Sequence, residues 1–175
     1  MSLPHINLYG FCPAFGLPDL SPFVLKVHTY LSLQKFQFDL ISGDSRKAPR
    51  QKLPYITLDG QINSQVNHQI ISDSSLIIQY LESIHPQPLD ANLSNREKAT
   101  SRLIQSTLEE HAYFLVLTER WQDEEGWAGI RPVIYQYAAE QKIPALIRPL
   151  IAMAIRKSVI SQCRQQGVGR LMPQE

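Results

Sequence analysis

The segment that decides the fold reads Gln51-Lys52-Leu53-Pro54-Tyr55-Ile56, in which a proline opens an apolar run. Proline has no N–H to donate to a β-ladder, so it is tolerated here only at a strand start, at a sheet edge or after a cis bond. A cis Leu53–Pro54 bond would turn the backbone N–H and C=O of Leu53 towards a ligand. The segment therefore predicts a strand start at Pro54, but the proline alone is weak evidence for a binding site, because few X-Pro bonds in folded proteins are cis.

A second segment, some twenty positions later, reads Ile71-Ser72-Asp73-Ser74-Ser75-Leu76-Ile77-Ile78. Its acid-serine pair stands at the start of an apolar helix. Ordinary N-capping explains such a pair when it is isolated. A helix N-terminus also attracts a carboxylate, and a neighbouring aspartate can hold an ammonium group. The combination with Pro54 favours the binding role for Asp73 and Ser74.

Ser21, followed by Pro22, stands at a predicted helix start, where serine is a common N-cap and proline a common first residue. Its hydroxyl would lie near the positive end of the helix. There it could donate a hydrogen bond to a thiolate and keep that thiolate nucleophilic near neutral pH. Capping and thiolate binding compete for the same hydroxyl.

Hydrophobic periodicity predicts the order β-α-β and then β-β-α in the first half of the chain. The Asp59-Gly60 pair is a strong hairpin signal, and residues 61–67 lengthen that hairpin. A polar, basic loop, 43–52, precedes it. The predicted elements are strands over 5–9 and 36–41, a helix over 22–33, a hairpin of strands starting at Tyr55 and ending at Ile71, and a helix over 74–85.

The run His85-Pro86-Gln87-Pro88 predicts a domain boundary, because two prolines stop a helix and hold the chain extended. We therefore expect domains at 1–85 and 94–175, joined by a linker at 86–93. The second domain is predicted to be all helical. Its helices are expected over 95–122, 130–141 and 144–165, with an acidic, glycine-containing break at 123–129.

These elements and motifs resemble the glutathione transferase superfamily over nearly the whole chain. The resemblance implies an α/β thioredoxin-like N-terminal domain followed by an all-α C-terminal domain. More narrowly, the chain is similar to the failed-axon-connections and metaxin-related branch. The segments that carry this likeness are Leu20-Ser21-Pro22-Phe23-Val24-Leu25-Lys26-Val27, Lys52-Leu53-Pro54-Tyr55-Ile56, Ile71-Ser72-Asp73-Ser74-Ser75 and Gln166-Gly167-Val168-Gly169-Arg170.

The resemblance implies glutathione as a co-substrate that is conjugated to an electrophilic small molecule. Leu53 and Pro54 would pair with its cysteinyl backbone, and Asp73 and Ser74 would hold its γ-glutamyl end. Gln51 or Lys52 would meet its glycine carboxylate. Ser21 would be the catalytic residue that stabilises the thiolate.

The family's helical domain continues well beyond a Gly-x-Gly-Arg segment, whereas this sequence stops at Glu175. We therefore expect an incomplete helical domain. Apolar faces over 103–117 and 143–160 would then lack partners, which predicts either association, as in a homo-oligomer, or poor order.

The composition is that of a soluble globular protein, with a formal net charge of +1 that points to no nucleic-acid partner. Two distant cysteines and the lack of a signal peptide favour a cytoplasmic location, and the histidines show no metal spacing. Residues 141–174 nevertheless contain six basic residues and no acid. A membrane surface is therefore possible as a partner but is not favoured.

Two alternatives remain open. Cys12, in a Cys-Pro pair, is a rival nucleophile for thiol-disulfide chemistry, but no resolving cysteine stands two residues away. The chain could also be a non-catalytic binding or scaffold protein. In that case its thioredoxin-like half would be retained as a fold, and its basic helix would face a partner or a membrane.

Overall fold

A computed structural model describes residues 3–59, 61–62, 65–66 and 69–170 of the chain. The chain divides into two compact units, Met1–Asn92 and Leu93–Glu175. The first unit contains the strands and two helices, and the second is helical. The predicted fold class, a thioredoxin-like α/β domain followed by helices, is confirmed.

The first unit is built on a four-stranded mixed sheet with the order β2-β1-β3-β6. β1 pairs with β2 in parallel, whereas β3 runs antiparallel to both of its neighbours. A short β4–β5 pair forms a separate sheet. The elements are β1 (His5–Gly10), α1 (Pro22–Leu33), β2 (Phe38–Ser42), β3 (Tyr55–Asp59), β4 (Gln61–Ile62), β5 (Gln65–Val66), β6 (Gln69–Ser72) and α2 (Ser74–Ile84).

The hydrophobic core of this unit follows from the alternation of side chains along β1 and β3. On each of these strands every second side chain points to the same face of the sheet and is buried with apolar residues of α1 and α2. The buried set includes Ile6, Leu8, Val24, Val27, Leu31, Ile56, Leu58, Ile77 and Leu81. This shared core positions the starts of both helices relative to the strand ends.

Two details of the first unit differ from the prediction or fall outside the description. β2 begins at Phe38 rather than Phe36, because the Phe36 N–H donates to the Leu31 carbonyl of α1 at 3.0 Å and the pairing with β1 starts at Phe38. The pairing of β3 with β6 agrees with the predicted hairpin. The hairpin turn at Gly60 and parts of the 61–67 insert lie outside the described residues.

The second unit consists of helices α3 (Asn95–Thr107), α4 (Tyr113–Gln122), α5 (Glu124–Glu140) and α6 (Arg148–Gln166). A single π-helical turn, Leu108–Ala112, joins α3 to α4. The start of α3 is a capping box, in which the Ser94 hydroxyl accepts from the Glu97 N–H and the Glu97 carboxylate accepts from the Ser94 N–H. No helix within the described ranges combines the length and apolar content that crossing a membrane requires.

The predicted break at 123–129 is wrong, because α5 already begins at Glu124. The Asp123 carboxylate caps this helix by accepting from the Gly126 N–H at 2.9 Å. Gly126 does not break the helix. It lets the backbone pass close to α4, where a Cβ at this position would lie 2.9 Å from the Cα of Arg120.

Arg156 of α6 ties together the end of α4 and the start of α5. Its guanidinium donates to the Trp121 carbonyl at 2.9 Å, to the Gln122 carbonyl at 3.1 Å and to the Glu124 carboxylate at 2.7 Å. It also lies over the Trp127 ring, 4.9 Å from the centroid. Only 12% of the Arg156 side chain is exposed, so its contacts with the two carbonyls are shielded from water, whereas the side chain of its partner Glu124 is 81% exposed.

We predict that Arg156→Met lowers the free energy of unfolding of the helical unit by about 2 kcal/mol, because it leaves two backbone carbonyls without their charged donor. Urea denaturation followed by tryptophan fluorescence measures this directly. Both tryptophans of the chain, Trp121 and Trp127, contact Arg156. Lys157→Met, at an exposed neighbouring position, is the control and should change little. Equal urea midpoints for the two variants would contradict the role of Arg156.

Candidate functional site

Three chain segments meet at one edge of the first unit because of the strand register. Tyr55, the first residue of β3, pairs with Tyr9 of β1 on one side and with Ser72 of β6 on the other. The residues just outside these pairs are therefore neighbours. They are Gly10, Pro54 and Asp73.

The Leu53–Pro54 peptide bond is cis, and both residues are buried. The Pro54 carbonyl accepts a hydrogen bond from the Asp73 N–H at 3.3 Å. The structure therefore brings together the two motifs that the sequence analysis pairs. Among the described residues, neither the N–H nor the C=O of Leu53 has a hydrogen-bonding partner.

Asp73 is the N-cap of α2, as the ordinary interpretation of the acid-serine pair predicts. One of its carboxylate oxygens, Oδ1, accepts from the Ser75 N–H at 2.9 Å and from the Leu76 N–H at 3.3 Å. Its backbone is in an unusual conformation with φ of 82°. The other oxygen, Oδ2, receives no hydrogen bond from a described residue and belongs to an exposed side chain. Asp73 thus keeps one carboxylate oxygen available after capping the helix.

Ser74, the first residue of α2, is largely buried beside this cap. The cap leaves the Ser74 N–H unused, since Asp73 takes the next two amides. Lys26 of α1 adds a positive charge here, because its Nζ donates to the Ser75 hydroxyl at 3.1 Å. Sequence reasoning missed Lys26, since nothing in the helical pattern of α1 shows that it faces the start of α2.

Ser21 directly precedes α1, with Pro22 in the first helical turn, as predicted. Its hydroxyl does not cap the helix. The Ser21 carbonyl instead accepts from the Leu25 N–H at 3.0 Å, and the Ser21 N–H donates to the Asp19 carboxylate at 2.7 Å. The predicted competition for the hydroxyl is therefore absent.

Asp19 is a second residue that sequence reasoning missed, having been treated only as part of a turn. It is 1% exposed, and its two carboxylate oxygens accept from the Phe11 N–H and the Ser21 N–H, each at 2.7 Å. Burial raises the pKa of this carboxyl to about 6, although the two amide hydrogen bonds act in the opposite direction. Gly10 is required beside it, because a Cβ there would meet the Asp19 carboxylate and lie 2.8 Å from Val24.

The remaining candidates lie around this edge. Gln51 and Lys52 are exposed on the loop directly before Leu53, and Gln51 has a left-handed backbone with φ of 54°. Cys12 is buried in the β1–α1 loop and forms no disulfide with a described residue, and its carbonyl accepts from the Leu20 N–H. In the described part of the chain, no group of histidine, cysteine, aspartate and glutamate residues could hold a metal ion.

Comparison with known proteins shows the family to which the chain is similar. The family model described as the glutathione S-transferase N-terminal domain matches residues 22–126, more than half of the chain. An isoprene-epoxide glutathione S-transferase from Rhodococcus sp. (strain AD45) is 35% identical over 170 residues, which are 94% of this chain and 67% of that protein. The Failed axon connections protein of Drosophila melanogaster is 31% identical over 112 residues, which are 63% of this chain and 25% of that protein.

Solved structures agree at the level of the fold. A glutathione S-transferase from Methylobacterium radiotolerans, in complex with glutathione sulfonate, has a TM-score of 0.50 at 22% identity and is matched over 78% of this chain and 65% of its own. A glutathione transferase homologue from Lodderomyces elongisporus has a TM-score of 0.50 at 14% identity, and the match covers 95% of this chain and 90% of that one.

Fold and sequence together place the chain in the glutathione S-transferase family, and the predicted resemblance is confirmed. The chain spans about two thirds of the Rhodococcus protein. The particular roles of Ser21, Gln51, Lys52, Leu53, Pro54, Asp73 and Ser74 stay predictions.

The raised pKa of Asp19 has a measurable consequence for stability. Between pH 3.8, the ordinary pKa of the carboxyl, and pH 6 the folded chain holds a proton that the unfolded chain has lost. The free energy of unfolding should therefore fall as the pH rises through this window, by up to about 3 kcal/mol, and stay level above it. Asp19→Asn should lack this decrease. Urea denaturation of both proteins from pH 4 to 8, followed by circular dichroism, measures the difference. A difference that does not change with pH would contradict the assignment.

Proposed function

We propose that the chain binds glutathione at the edge formed by Leu53, Pro54, Asp73 and Ser74. The observation that carries the proposal is the unused backbone of Leu53, which lies beside the hydrogen bond between Pro54 and Asp73. An N–H and a C=O without partners can form a short antiparallel pairing with the cysteinyl residue of a bound peptide. Membership of the glutathione S-transferase family makes glutathione the peptide to test.

The two ends of glutathione find complementary charges around this backbone. The free Oδ2 of Asp73 accepts from the γ-glutamyl ammonium, while the N–H and hydroxyl of Ser74 hold the γ-glutamyl carboxylate. Lys26, which donates to Ser75, adds a positive charge beside that carboxylate. Gln51 and Lys52 bind the glycine carboxylate at the other end of the tripeptide.

Ser21 acts on the sulfur. Its hydroxyl donates a hydrogen bond to the glutathione thiolate and lowers the pKa of the bound thiol, with the thiol proton leaving to solvent. The sulfur then forms a bond to an electrophilic carbon as the bond from that carbon to its leaving atom breaks. The name of the Rhodococcus relative makes small epoxides the first electrophiles to test. In that case the opened ring oxygen takes a proton from water.

We further propose that the chain self-associates and resides in the cytoplasm. Self-association is supported by exposed apolar side chains in the helical unit, among them Leu103, Leu108, Leu146 and Leu150. The cytoplasm is supported by the two cysteines, Cys12 and Cys163, neither of which forms a disulfide with a described residue.

The central test compares Ser21→Ala with Ser32→Ala. Ser32 also lies in α1, but its hydroxyl donates to the His28 carbonyl on an exposed surface. Glutathione should raise the melting temperature of the wild type and of both variants, because ligand binding stabilises the folded state. Conjugation to an epoxide should fall about 100-fold in Ser21→Ala alone, since the thiolate loses its hydrogen-bond donor.

Different results identify which part of the proposal is wrong. No melting-temperature shift in the wild type at millimolar glutathione would contradict binding. A normal shift together with undiminished conjugation by Ser21→Ala would contradict only the catalytic assignment. In that event Cys12→Ser is the next variant, although burial of Cys12 argues against it as a nucleophile.

A second candidate function rests on α6 and the turn before it. Apolar side chains are exposed there beside basic ones, with Leu146 90% and Leu150 71% exposed. Such a surface can bind an anionic membrane. The proposal is weakened by Arg156, which is buried in contacts with α4 and α5, and by Arg148, which donates to the Ile143 carbonyl.

Vesicle sedimentation separates this scaffold function from the enzyme. The scaffold function predicts that the chain sediments with anionic vesicles at low salt and stays in solution as the salt concentration rises. It also predicts no affinity for glutathione. Lys157→Glu should reduce the sedimentation, because Lys157 is an exposed basic residue of α6. A chain that stays in the supernatant at low salt would contradict the membrane function.

A further inference from the structure

The β1–α1 loop, residues 11–21, is closed by one buried side chain. Asp19 accepts from the Phe11 N–H, where the chain leaves β1, and from the Ser21 N–H, where it enters α1. Both donor–acceptor distances are 2.7 Å, and each carboxylate oxygen accepts a hydrogen bond from one of the two N–H groups. The carboxylate therefore fixes the first and last residues of the loop relative to each other.

We propose that Asp19 is a positioning residue for Ser21, and that its carboxylate holds the Ser21 hydroxyl where the glutathione thiolate needs it. This inference rests on the function proposed above. Asp19 itself does not touch the substrate. It acts through the Ser21 amide, and the Ser21 hydroxyl is free of the capping role that would otherwise fix it.

The geometry requires a carboxylate in particular. Two backbone N–H groups point at one side chain, so that side chain must offer two acceptors and no donor. Asparagine has the same shape but would turn its NH₂ towards one of the two amides. A longer side chain is not accommodated, because Asp19 is only 1% exposed and a Cβ on the adjacent Gly10 would already meet its carboxylate. Asp19→Asn should therefore release either Phe11 or Ser21.

Protonation of the Asp19 carboxylate should have the same effect as the substitution Asp19→Asn. A carboxylic acid carries a hydrogen on one oxygen, so it accepts fully at only one of the two amides. Burial and the two amide hydrogen bonds are the causes that determine the pKa of about 6. The other titratable groups on this loop and on the two elements it joins are His5, Tyr9, Cys12, Lys26, His28 and Tyr30, and none of them is among the causes of the shift.

The pH dependence of conjugation should therefore show two deprotonations on the acid side. Glutathione must lose its thiol proton, and Asp19 must be ionised to hold Ser21. A logarithmic plot of wild-type kcat against pH should approach a slope of about 2 well below pH 6, where a single essential deprotonation gives about 1.

The experiment measures kcat, KM for glutathione and the pH profile for wild type, Asp19→Asn, Ser21→Ala and Asp44→Asn. Asp44 is the control, because its carboxylate pairs with Arg46 in a separate loop. At pH 7.5 Asp19→Asn should lose up to about 100-fold in kcat, the effect of a displacement of about 1 Å, while KM changes little. Its acid slope should fall to about 1. Asp44→Asn should behave as wild type.

The outcomes separate this inference from the proposed function. If Ser21→Ala loses activity while Asp19→Asn keeps the wild-type kcat and acid slope, the inference is overturned and the proposed function stands. If Ser21→Ala is fully active, the catalytic assignment and this inference fall together. If Asp19→Asn does not fold, the wild-type profile decides, because an acid slope of 1 overturns the inference and a slope of 2 supports it.

Discussion

The register of β3 between β1 and β6 is the constraint on which the proposed site depends. Tyr55 pairs with Tyr9 on one side and with Ser72 on the other, and the two tyrosine rings stack with centroids 4.3 Å apart. A shift by one residue would turn the core side chains of β3 to the opposite face. The same shift would separate Pro54 from Asp73. The register that buries the core side chains of β3 is thus also the register that places Pro54 beside Asp73.

Buried or capping charges hold the ends of the elements in both units. Asp73 caps α2, Asp19 joins the end of β1 to the start of α1, and Arg156 joins α4 to α5. In each case one charged side chain binds several backbone groups that a helix or strand leaves without a partner. Such contacts require only one residue each, and they fix the position of the element ends that they join. The proposed site uses two of them, Asp73 for binding and Asp19 for position.

Local signals in the sequence predicted the parts of the site that depend on local structure. Proline at a strand start and an acid-serine pair at a helix start carry their own physical meaning, so Pro54, Asp73 and Ser21 lie where expected. Asp19 and Lys26 could not be found in this way. Ser21 lies only two residues from Asp19, but the other partner of Asp19, Phe11, lies 8 residues away and the partner of Lys26, Ser75, lies 49 away, and only the folded chain brings these together. Gly126 misled the prediction for a related reason, since its close approach to α4 is a tertiary contact.

Glutathione binding at Leu53 and Ser74 is the central claim, and amide NMR spectra of the nitrogen-labelled chain during a glutathione titration test it most directly. The account predicts saturable shifts at the amides of Leu53 and Ser74, the two N–H groups left for the ligand. The buried amides of β1 should move little. Spectra that do not change at millimolar glutathione, or shifts confined to α6, would contradict it.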